Sequence, residues 1–462
     1  MRCLLFVCLL LGCMPSFALD RSQVEGYLLP NGLQVILKPG YERDHVSIRL
    51  VVGVGFDDFP CDRRELPHLL EHLLFSGIDD SGEGGLEERM QALGGEWNAY
   101  TSSTDTTFVI EAPARNQRKV LDLLLAILSQ TQLDENALEL SKKIVEREDG
   151  GHYSHLQRWL DRQDLGHGPS EQLAVELGLT CAERSAIDDL TLEEVDDVRA
   201  HWYAPNNMTL IMVGGLDRLL PAYLERTYGQ LDPVDPVDPS ERRGLETVVH
   251  KAEAKRVLTS GWLGNSAKLH WMFLEPVLEG DSEQTFNLLQ RYLDWALYSE
   301  LRLKHSLSYG PFSQREMLGN SSVMSLNADL DRESVDEAEV LLQKLIERLR
   351  QNGLDPATFE RIKQAAIDRE AWTTQGNAAL ADYYWSALSA YADGRFADPV
   401  SKLRQVSLED TNQAMRQLFA DPGYLRIEKP ALGYESIYRL LAGLLGLILL
   451  AGFVWHKRRR GQ

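Results

Sequence analysis

The sequence predicts an α+β fold made of two homologous domains, each a mainly antiparallel β-sheet packed with helices, followed by a C-terminal transmembrane helix. Three observations support this prediction. A chain of 462 residues is long enough for two large domains. Segments with strand-like alternation and segments with helical periodicity occur twice in the same order. An apolar stretch lies directly before a basic C-terminus.

The first 18 residues have the features of a secretory signal peptide. Arg2 is followed by an apolar run from Cys3 to Cys13 and by the small-x-small cleavage signal Ser16-Phe17-Ala18. An alternative is a lipobox at Leu10-Leu11-Gly12-Cys13, which would leave Cys13 lipidated. The apolar stretch before it is short for that purpose, so we rank lipidation second and exclude residues 1–18 from the fold.

The C-terminus has the features of a membrane anchor. Leu440–Trp455 carries no charge, and residues 437–455 are long enough for a tilted bilayer span. The basic residues that follow, within 456–462, place this tail in the cytoplasm by the positive-inside rule. A buried core helix is the alternative, but four consecutive cations after it argue against that. We therefore expect a single-pass protein of a bacterial inner membrane with its body in the periplasm.

The composition argues against nucleic acid as a partner and leaves open whether two cysteines form a disulfide. The formal net charge is -21, which is unsuited to nucleic-acid binding. Three of the five cysteines lie in the signal region, leaving Cys61 and Cys181 in the mature body. These two can pair in an oxidising compartment, but the sequence does not show whether they are close enough.

A segment rich in proline and aspartate, residues 231–240, divides the body into a domain at 19–230 and a domain at 241–430, because its prolines exclude helix and central strand. In the first domain the patterns predict a hairpin closed by Pro30-Asn31-Gly32, a further strand, a helix, a Gly-rich turn, a second strand, three helices and a last buried strand. The hairpin strands are Tyr27–Leu29 and Leu33–Leu37, the further strand is Val46–Val54, and the second strand ends at Thr107–Ile110. The three helices are Gln117–Gln130, Asn136–Glu148 and one capped by Thr191 and Glu194, and the last strand is Met208–Val213.

The second domain repeats this order. Its predicted elements are strands at Leu269–Leu274 and Val323–Ala328 and helices at Glu283–Leu303, Ser334–Gln351 and Pro356–Trp372. One stretch aligns without gaps, Ile144–Glu148 against Ala366–Glu370. An internal duplication of an α+β unit explains this agreement.

The pentapeptide His68-Leu-Leu-Glu71-His72 in the first domain carries the chemistry. On a helix, positions i, i+3 and i+4 share one face, so two imidazoles and a carboxylate lie side by side. Two such histidines can hold zinc, and the carboxylate can activate water. The alternative is a helix with two surface or capped histidines. The second domain offers Gln290-Arg-Tyr-Leu-Asp294 at the corresponding place, so the scaffold does not require histidines there.

Several motifs together resemble one known family over about Tyr27 to Leu418. They are Leu29-Pro-Asn-Gly-Leu33, Pro67-His-Leu-Leu-Glu-His-Leu-Leu-Phe-Ser-Gly77, Gly94-Gly-Glu-Trp-Asn-Ala-Tyr-Thr101, Pro205-Asn-Asn-Met-Thr-Leu210, and Leu301-Arg302 with Leu307-Ser-Tyr309. The chain is similar to the pitrilysin/insulinase family of inverzincin zinc metallopeptidases. The C-terminal anchor is not a general feature of that family.

The resemblance implies one zinc ion per chain and a third protein ligand, Glu148, beside His68 and His72. Glu146 is the alternative ligand, although it points about 160° away around the helix. Glu146, Glu148 and Asp149 can also be read as a solvated acidic face. Glu71 is then the general base that activates water. Where the family often has another glutamate, this chain has Ser141, with Glu139 nearby.

The same resemblance implies the residues that hold the substrate. Asn98 and Ala99 lead into an edge strand that binds peptide backbone by β-strand addition. Arg302 and Tyr309 reach from the second domain to the substrate or the developing oxyanion. An arginine at a helix end and a tyrosine in a strand are also ordinary structural residues. His152, His155 and His167 lack ligand spacing and are expected to be surface or loop residues.

These features predict a membrane-anchored zinc metalloendopeptidase that hydrolyses peptides or unfolded segments outside the cytoplasm. The alternative is an inactive peptidase-like subunit that binds peptides or supports assembly in a heterodimer. The complete set His68, Glu71, His72 and Glu148 favours the enzyme. Members of the family with two such domains pair two chains, so we expect a homodimer or a heterodimer with a related peptidase-like chain.

Overall fold

The structure, a computed structural model, describes residues 20–79, 81–148, 168–181, 187–235, 252–278, 283–318, 321–373 and 375–460. Strands β1 to β6 form one sheet in the order β1-β2-β6-β3-β5-β4. Neighbouring strands are antiparallel except β2 and β6, which are parallel. The bounds are β1 Glu25–Leu28, β2 Gln34–Pro39, β3 His45–Val52, β4 Glu96–Thr101, β5 Thr106–Pro113 and β6 Met208–Gly214.

A second sheet repeats this topology without a counterpart of β1. Its order is β7-β11-β8-β10-β9, and again only one described pair, β7 with β11, is parallel. The bounds are β7 Lys255–Thr259, β8 Ser266–Leu274, β9 Phe312–Leu318, β10 Ser321–Asp331 and β11 Tyr424–Lys429. The predicted duplication is therefore visible in strand order and direction, and the chain has a mixed α+β fold with two sheet-based units.

Fourteen α-helices are described. Those before the second sheet are α1 Leu66–Leu74, α2 Gly82–Ala92, α3 Gln117–Gln130, α4 Glu135–Glu148, α5 Pro169–Glu176, α6 Leu192–Trp202 and α7 Leu220–Arg226. The remainder are α8 Glu283–Leu297, α9 Val335–Asn352, α10 Pro356–Thr373, α11 Asn377–Ser386, α12 Pro399–Gln405, α13 Leu408–Leu418 and α14 Tyr434–Arg460.

Two helices cross between the units. Helix α11 belongs to the second unit in sequence, between α10 and β11, but packs on the outer face of the first sheet, where Leu380 and Tyr384 join an apolar cluster with residues of β2, β3 and β6. Helix α5 makes the reciprocal contact, because its Leu173 packs against β8 and β10 of the second sheet. Ion pairs fix both helices: Arg49 with Asp382 at 2.8 Å and Arg426 with Glu176 at 2.6 Å. The two units therefore form one interlocked body.

Most elements lie where the sequence predicts them. Helix α3 has the predicted bounds, and α4, α9 and α10 agree to within a residue at each end. The capping box of α6 forms as expected, with the Glu194 amide donating to the Thr191 hydroxyl at 3.3 Å. Amphipathic periodicity explains this agreement best for α3, α4 and α9, whose buried residues recur on one face of each helix.

Three predictions need correction. The Gly-rich segment after α1 contains a helix, α2, because Leu86 and Met90 one turn apart are buried in the first core despite poor helix propensity. Where one strand was expected before α3, the chain forms the two strands β4 and β5. The helix predicted over Glu283–Leu303 ends at Leu297 and continues as a π-helical turn over Tyr298–Lys304.

The ends of the body and its cysteines complete the fold. Helix α14 contains an apolar stretch, Tyr434–Gly452, with a mean hydropathy of 1.5 and no buried residues, so it is one candidate membrane span by length and composition. Cys61 and Cys181 form a disulfide across 120 residues. Residues 1–18 and the second half of the Pro/Asp segment, 236–240, lie outside the described residues.

Candidate metal centre

Helix α1 places its two histidines at the edge of the first core. Its leucines at positions 66, 69, 70, 73 and 74 are all buried, and Pro67 lies in its first turn. This apolar face anchors the helix beside β4 and leaves His68 and His72 half-buried on the opposite side. Leucine packing therefore determines where the imidazoles point.

Three donor atoms converge at this place. The Nε2 atoms of His68 and His72 lie 3.3 Å apart. Glu148, at the end of α4, brings one carboxylate oxygen to 3.3 Å from the first and 3.4 Å from the second. Tetrahedral zinc with bonds of about 2.0–2.1 Å needs its ligands about 3.3 Å apart, so the residues present fit this ion. Among the described residues these three form the group that could hold a metal.

The neighbouring glutamate on α4 has a different environment. The Glu146 side chain is buried, whereas the Glu148 side chain is 52% exposed and faces the histidines. Ser141, about two turns before Glu148, is also buried, and Glu139 pairs with Lys142 at 2.9 Å. Of the acidic residues on α4, Glu148 is thus the one brought to the imidazoles.

A carboxylate behind the group orients one imidazole. Glu65, immediately before α1, lies 3.0 Å from Nδ1 of His68. Burial lowers the pKa of His68, but the hydrogen bond and charge of Glu65 and the charges of Glu71 and Glu148 outweigh it, so this pKa lies above its usual value. A carboxylate on the far nitrogen is the common support of a metal-binding histidine. Sequence reasoning missed Glu65, although its i, i+3 spacing to His68 is a usable signal.

Glu71 lies on the inner side of the same helix. It is only 9% exposed, and the Thr101 hydroxyl donates to its carboxylate at 2.7 Å. The hydroxyl of the partly buried Tyr203 is enclosed nearby, and its burial together with the negative charge of Glu71 raises the pKa of Tyr203 well above the usual value. The carboxylate is therefore held by a strand hydroxyl in a poorly hydrated corner beside the donor triangle. Thr101 and Tyr203 are further residues that sequence reasoning missed.

Asn98 and Ala99 lie in the edge strand itself, within β4, and not before it. Strand β4 pairs with β5 on one side, and its other edge carries no strand among the described residues. The exposed Asn98 side chain accepts a hydrogen bond from the Ala99 amide at 2.9 Å and donates to the Tyr100 hydroxyl at 2.6 Å. An unpaired edge next to the donor triangle is the arrangement that β-strand addition requires.

Arg302 and Tyr309 contact each other. The Arg302 guanidinium donates to the Tyr309 carbonyl at 2.6 Å and lies 4.3 Å from the centre of its ring. The Tyr309 side chain is 78% exposed. Within the described part of the chain, this pair forms its hydrogen bond and ring contacts with residues of the second unit. The structure thus brings the two together but does not bring them into contact with the donor triangle.

The corresponding helix of the second unit is tied to its strand by two side chains. Gln290 donates to the Ser313 carbonyl at 2.8 Å, and Asp294 accepts from the Ser313 hydroxyl at 2.9 Å. These two residues align with His68 and His72 in the duplication. In the second unit, strand contacts occupy the positions that present donor atoms in the first. His152, His155 and His167 lie outside the described residues.

Comparison with known protein families gives two matches. Residues 34–160 match the family described as "Insulinase (Peptidase family M16)", and residues 189–366 match "Peptidase M16 inactive domain". Together they span more than half of the chain. The donor triangle lies in the first match, and Gln290 and Asp294 lie in the second.

Individual proteins extend this likeness. The chain is 19% identical over 417 residues to the "Uncharacterized zinc protease YmxG" of Bacillus subtilis, covering 88% of this chain and 98% of that protein. It is 28% identical over 130 residues to the mitochondrial-processing peptidase subunit beta of Saccharomyces cerevisiae, covering 28% of each. The solved structure of the periplasmic protease PqqL from Escherichia coli matches with a TM-score of 0.68 at 17% identity, over 88% of this chain and 47% of PqqL. The chain thus spans nearly all of the Bacillus protein but less than half of the other two.

Proposed function

Because the chain belongs to the insulinase (peptidase M16) family, we propose that it is a zinc metalloendopeptidase that hydrolyses peptides or unfolded segments. The observation that carries this proposal is the triangle of donor atoms from His68, His72 and Glu148, with sides of 3.3–3.4 Å, next to the buried Glu71 carboxylate.

His68, His72 and Glu148 would hold the ion and leave a fourth position open. Zinc, when bound, supplies a Lewis acid that acidifies water and polarises a peptide carbonyl. The Glu71 carboxylate accepts the proton of the attacking water and returns it to the leaving amine. Thr101 keeps that carboxylate turned toward the site through its 2.7 Å hydrogen bond.

The free edge of β4 would bind the substrate backbone. A peptide that adds as a further strand must replace the Asn98 side chain at the Ala99 amide, so Asn98 protects this edge when no peptide is bound. Such binding reads main chain and tolerates many side chains. Arg302 and Tyr309, exposed together on the second unit, would contact the substrate from the other side.

The match to an "inactive domain" begins at residue 189, after all the residues of the donor triangle, and covers much of the second unit. Its helix α8 carries Gln290 and Asp294 at the positions of the histidines, whereas the first unit keeps both histidines and the glutamates. The alternative of an inactive binding or assembly subunit lacks such support, because the full donor set lies within one unit.

We further infer a membrane-anchored body outside the cytoplasm. The apolar helix α14 and the basic residues at its end support a single span, with the body in the periplasm and residues 456–462 in the cytoplasm. Because the chain matches about half of PqqL, a second chain, identical or related, would supply the remaining half in a dimer.

Peptide cleavage in water enriched in oxygen-18 tests the proposed reaction. The full chain in detergent should cut a library of unfolded peptides, each new carboxyl group should carry one solvent oxygen, and a zinc chelator should stop the reaction. Cleavage that continues under chelation, or a purified chain and its dimer that cut no peptide, would contradict the proposal.

A further inference from the structure

The loop between β7 and β8 continues the pairing of the second sheet into the segment that precedes α14. The Ala431 amide donates to the Gly261 carbonyl at 2.8 Å, and the Leu432 amide donates to the Trp262 carbonyl at 3.0 Å. The Gly264 amide returns a bond of 3.0 Å to the Leu432 carbonyl. Trp262 is thus fixed by a main-chain hydrogen bond to Leu432, which lies two residues before α14 begins.

Side chains hold this junction from both sides. The Tyr434 amide, at the first residue of α14, donates to the Asn265 side chain at 3.1 Å. The Arg332 guanidinium donates to the carbonyls of Pro430 and Ala431 at 3.0 and 3.2 Å. The loop and the start of α14 therefore form one rigid junction.

The junction exposes apolar side chains to solvent. Trp262 is 86% exposed, and Leu263, Leu432, Tyr434 and Tyr438 each expose more than two fifths of their surface. Trp and Tyr are the residues favoured at the boundary between lipid headgroups and hydrocarbon. An exposed group of large apolar residues is otherwise unfavourable in water.

The length of α14 places this junction at the level of the lipid headgroups. The first turn still carries the ion pair of Glu435 and Arg439, at 2.8 Å, and the uncharged stretch begins at Leu440. Six residues of helix rise about 9 Å, which is close to the thickness of one headgroup layer. Trp262 therefore lies beside the region that α14 crosses before it enters the hydrocarbon.

We propose that Trp262 and Leu263 form a second membrane contact, which inserts into the headgroup region of the bilayer that α14 spans. This inference rests on the proposed membrane anchor and is independent of the peptidase reaction. Two contacts, rigidly joined, hold the body at one tilt, with the β7–β8 loop facing the lipid and the opposite end of β8 turned away from it.

Single-cysteine variants of the full chain test this contact. Cys61 and Cys181 are paired, and the other three cysteines lie in the predicted signal peptide, so an introduced thiol takes the label alone. Trp262→Cys reports on the loop and Leu445→Cys on the middle of α14. Val277→Cys is the matched control, because it is 100% exposed and follows the far end of β8, about 25 Å away along the strand.

Each variant carries a fluorophore and is reconstituted in vesicles of phosphatidylethanolamine and phosphatidylglycerol that contain nitroxide lipids. We expect severalfold stronger quenching at position 262 than at 277, strongest with nitroxides near the headgroup, and strong quenching at 445 by deep nitroxides. Equal, weak quenching at 262 and 277 with strong quenching at 445 would overturn the second contact alone. Weak quenching at 445 would overturn the anchor and the contact with it, whatever the peptidase assay gives.

A second measurement uses the Trp262 indole, which Trp262→Cys removes, as its own reporter. Brominated lipids should quench the tryptophan emission of the unlabelled wild-type chain more than that of Trp262→Phe. The same fractional quenching in both proteins would overturn the inference.

Discussion

The Thr101 hydroxyl on β4 donates a 2.7 Å hydrogen bond to the Glu71 carboxylate on α1. This bond joins the edge strand that would bind the substrate to the group that would move the proton. A β4 residue therefore sets the direction of the carboxylate, and the two parts of the candidate site are coupled through one side chain.

Removal of this hydroxyl should slow the reaction without loss of metal. A hydrogen bond to a charged group contributes about 1.5–3 kcal/mol, so Thr101→Val should lower kcat roughly tenfold to a hundredfold. KM and zinc content should stay unchanged, because neither the free edge nor the donor triangle involves this hydroxyl. Thr101→Ser, which keeps the donor, should restore most of the rate. Equal rates for the wild type and Thr101→Val would show that Thr101 does not position Glu71.

Glu146 and Glu148 on α4 should respond differently to the same change. Glu148→Gln removes the carboxylate 3.3 Å from His68 and should reduce zinc to well below one ion per chain, with activity falling in parallel. Glu146→Gln, the matched control two residues away, should keep its zinc and change only the stability, because its side chain is buried and Glu148, not Glu146, joins the two histidines in the donor triangle. Elemental analysis of both purified variants decides this. Loss of zinc from Glu146→Gln and retention by Glu148→Gln would reverse the assignment.

A pH-dependent contribution to stability should come from Glu300, which lies in the π-helical turn that carries Arg302. Burial raises the pKa of Glu300, but hydrogen bonds from Lys304 and Arg348, together with their charges, outweigh it, so the pKa lies below its usual value of 4.5. A lowered folded-state pKa stabilises the protein fully above about pH 4.5. That contribution is lost as the pH falls through the lower folded-state value.

Glu300→Gln should therefore lower Tm by about 1 °C at neutral pH, equivalent to about 1 kcal/mol, and the difference from the wild type should shrink on acidification below pH 4.5. Glu347→Gln on α9 is the control, because its side chain is 55% exposed and its distance to Arg350 is 3.7 Å. Thermal unfolding at several pH values tests this. A difference between wild type and Glu300→Gln that grows toward low pH would contradict the sign.

Much of this architecture follows from local patterns. The apolar periodicity of Gln117–Gln130 predicts α3 to the residue, and the i, i+4 spacing of His68 and His72 places both imidazoles on one helical face. The duplication predicts the shared order of the two sheets. Such features depend on contacts close in sequence or on a repeated pattern, and these are what a single sequence displays.

What the patterns do not predict depends on contacts distant in the chain. Helices α5 and α11 each pack on the sheet of the other unit. The periodicity of their own residues does not identify the sheet that buries them. The bond from Thr101 to Glu71 spans 30 residues and depends on how α1 packs on β4. The approach of Glu148 to the histidines was inferred from a family resemblance, because the spacing alone fits a solvated acidic face equally well.

The most direct test of the central claim is the zinc content of Glu71→Gln measured beside its peptidase rate. Glu71 is not one of the three donor atoms, and the variant keeps the size of the side chain. We predict about one zinc ion per chain, as in the wild type, with cleavage of a quenched peptide reduced at least a thousandfold, because proton transfer to and from the reacting groups is lost. A variant that holds zinc and cleaves at the wild-type rate would contradict the role of Glu71, and a wild-type chain without zinc would contradict the metal centre itself.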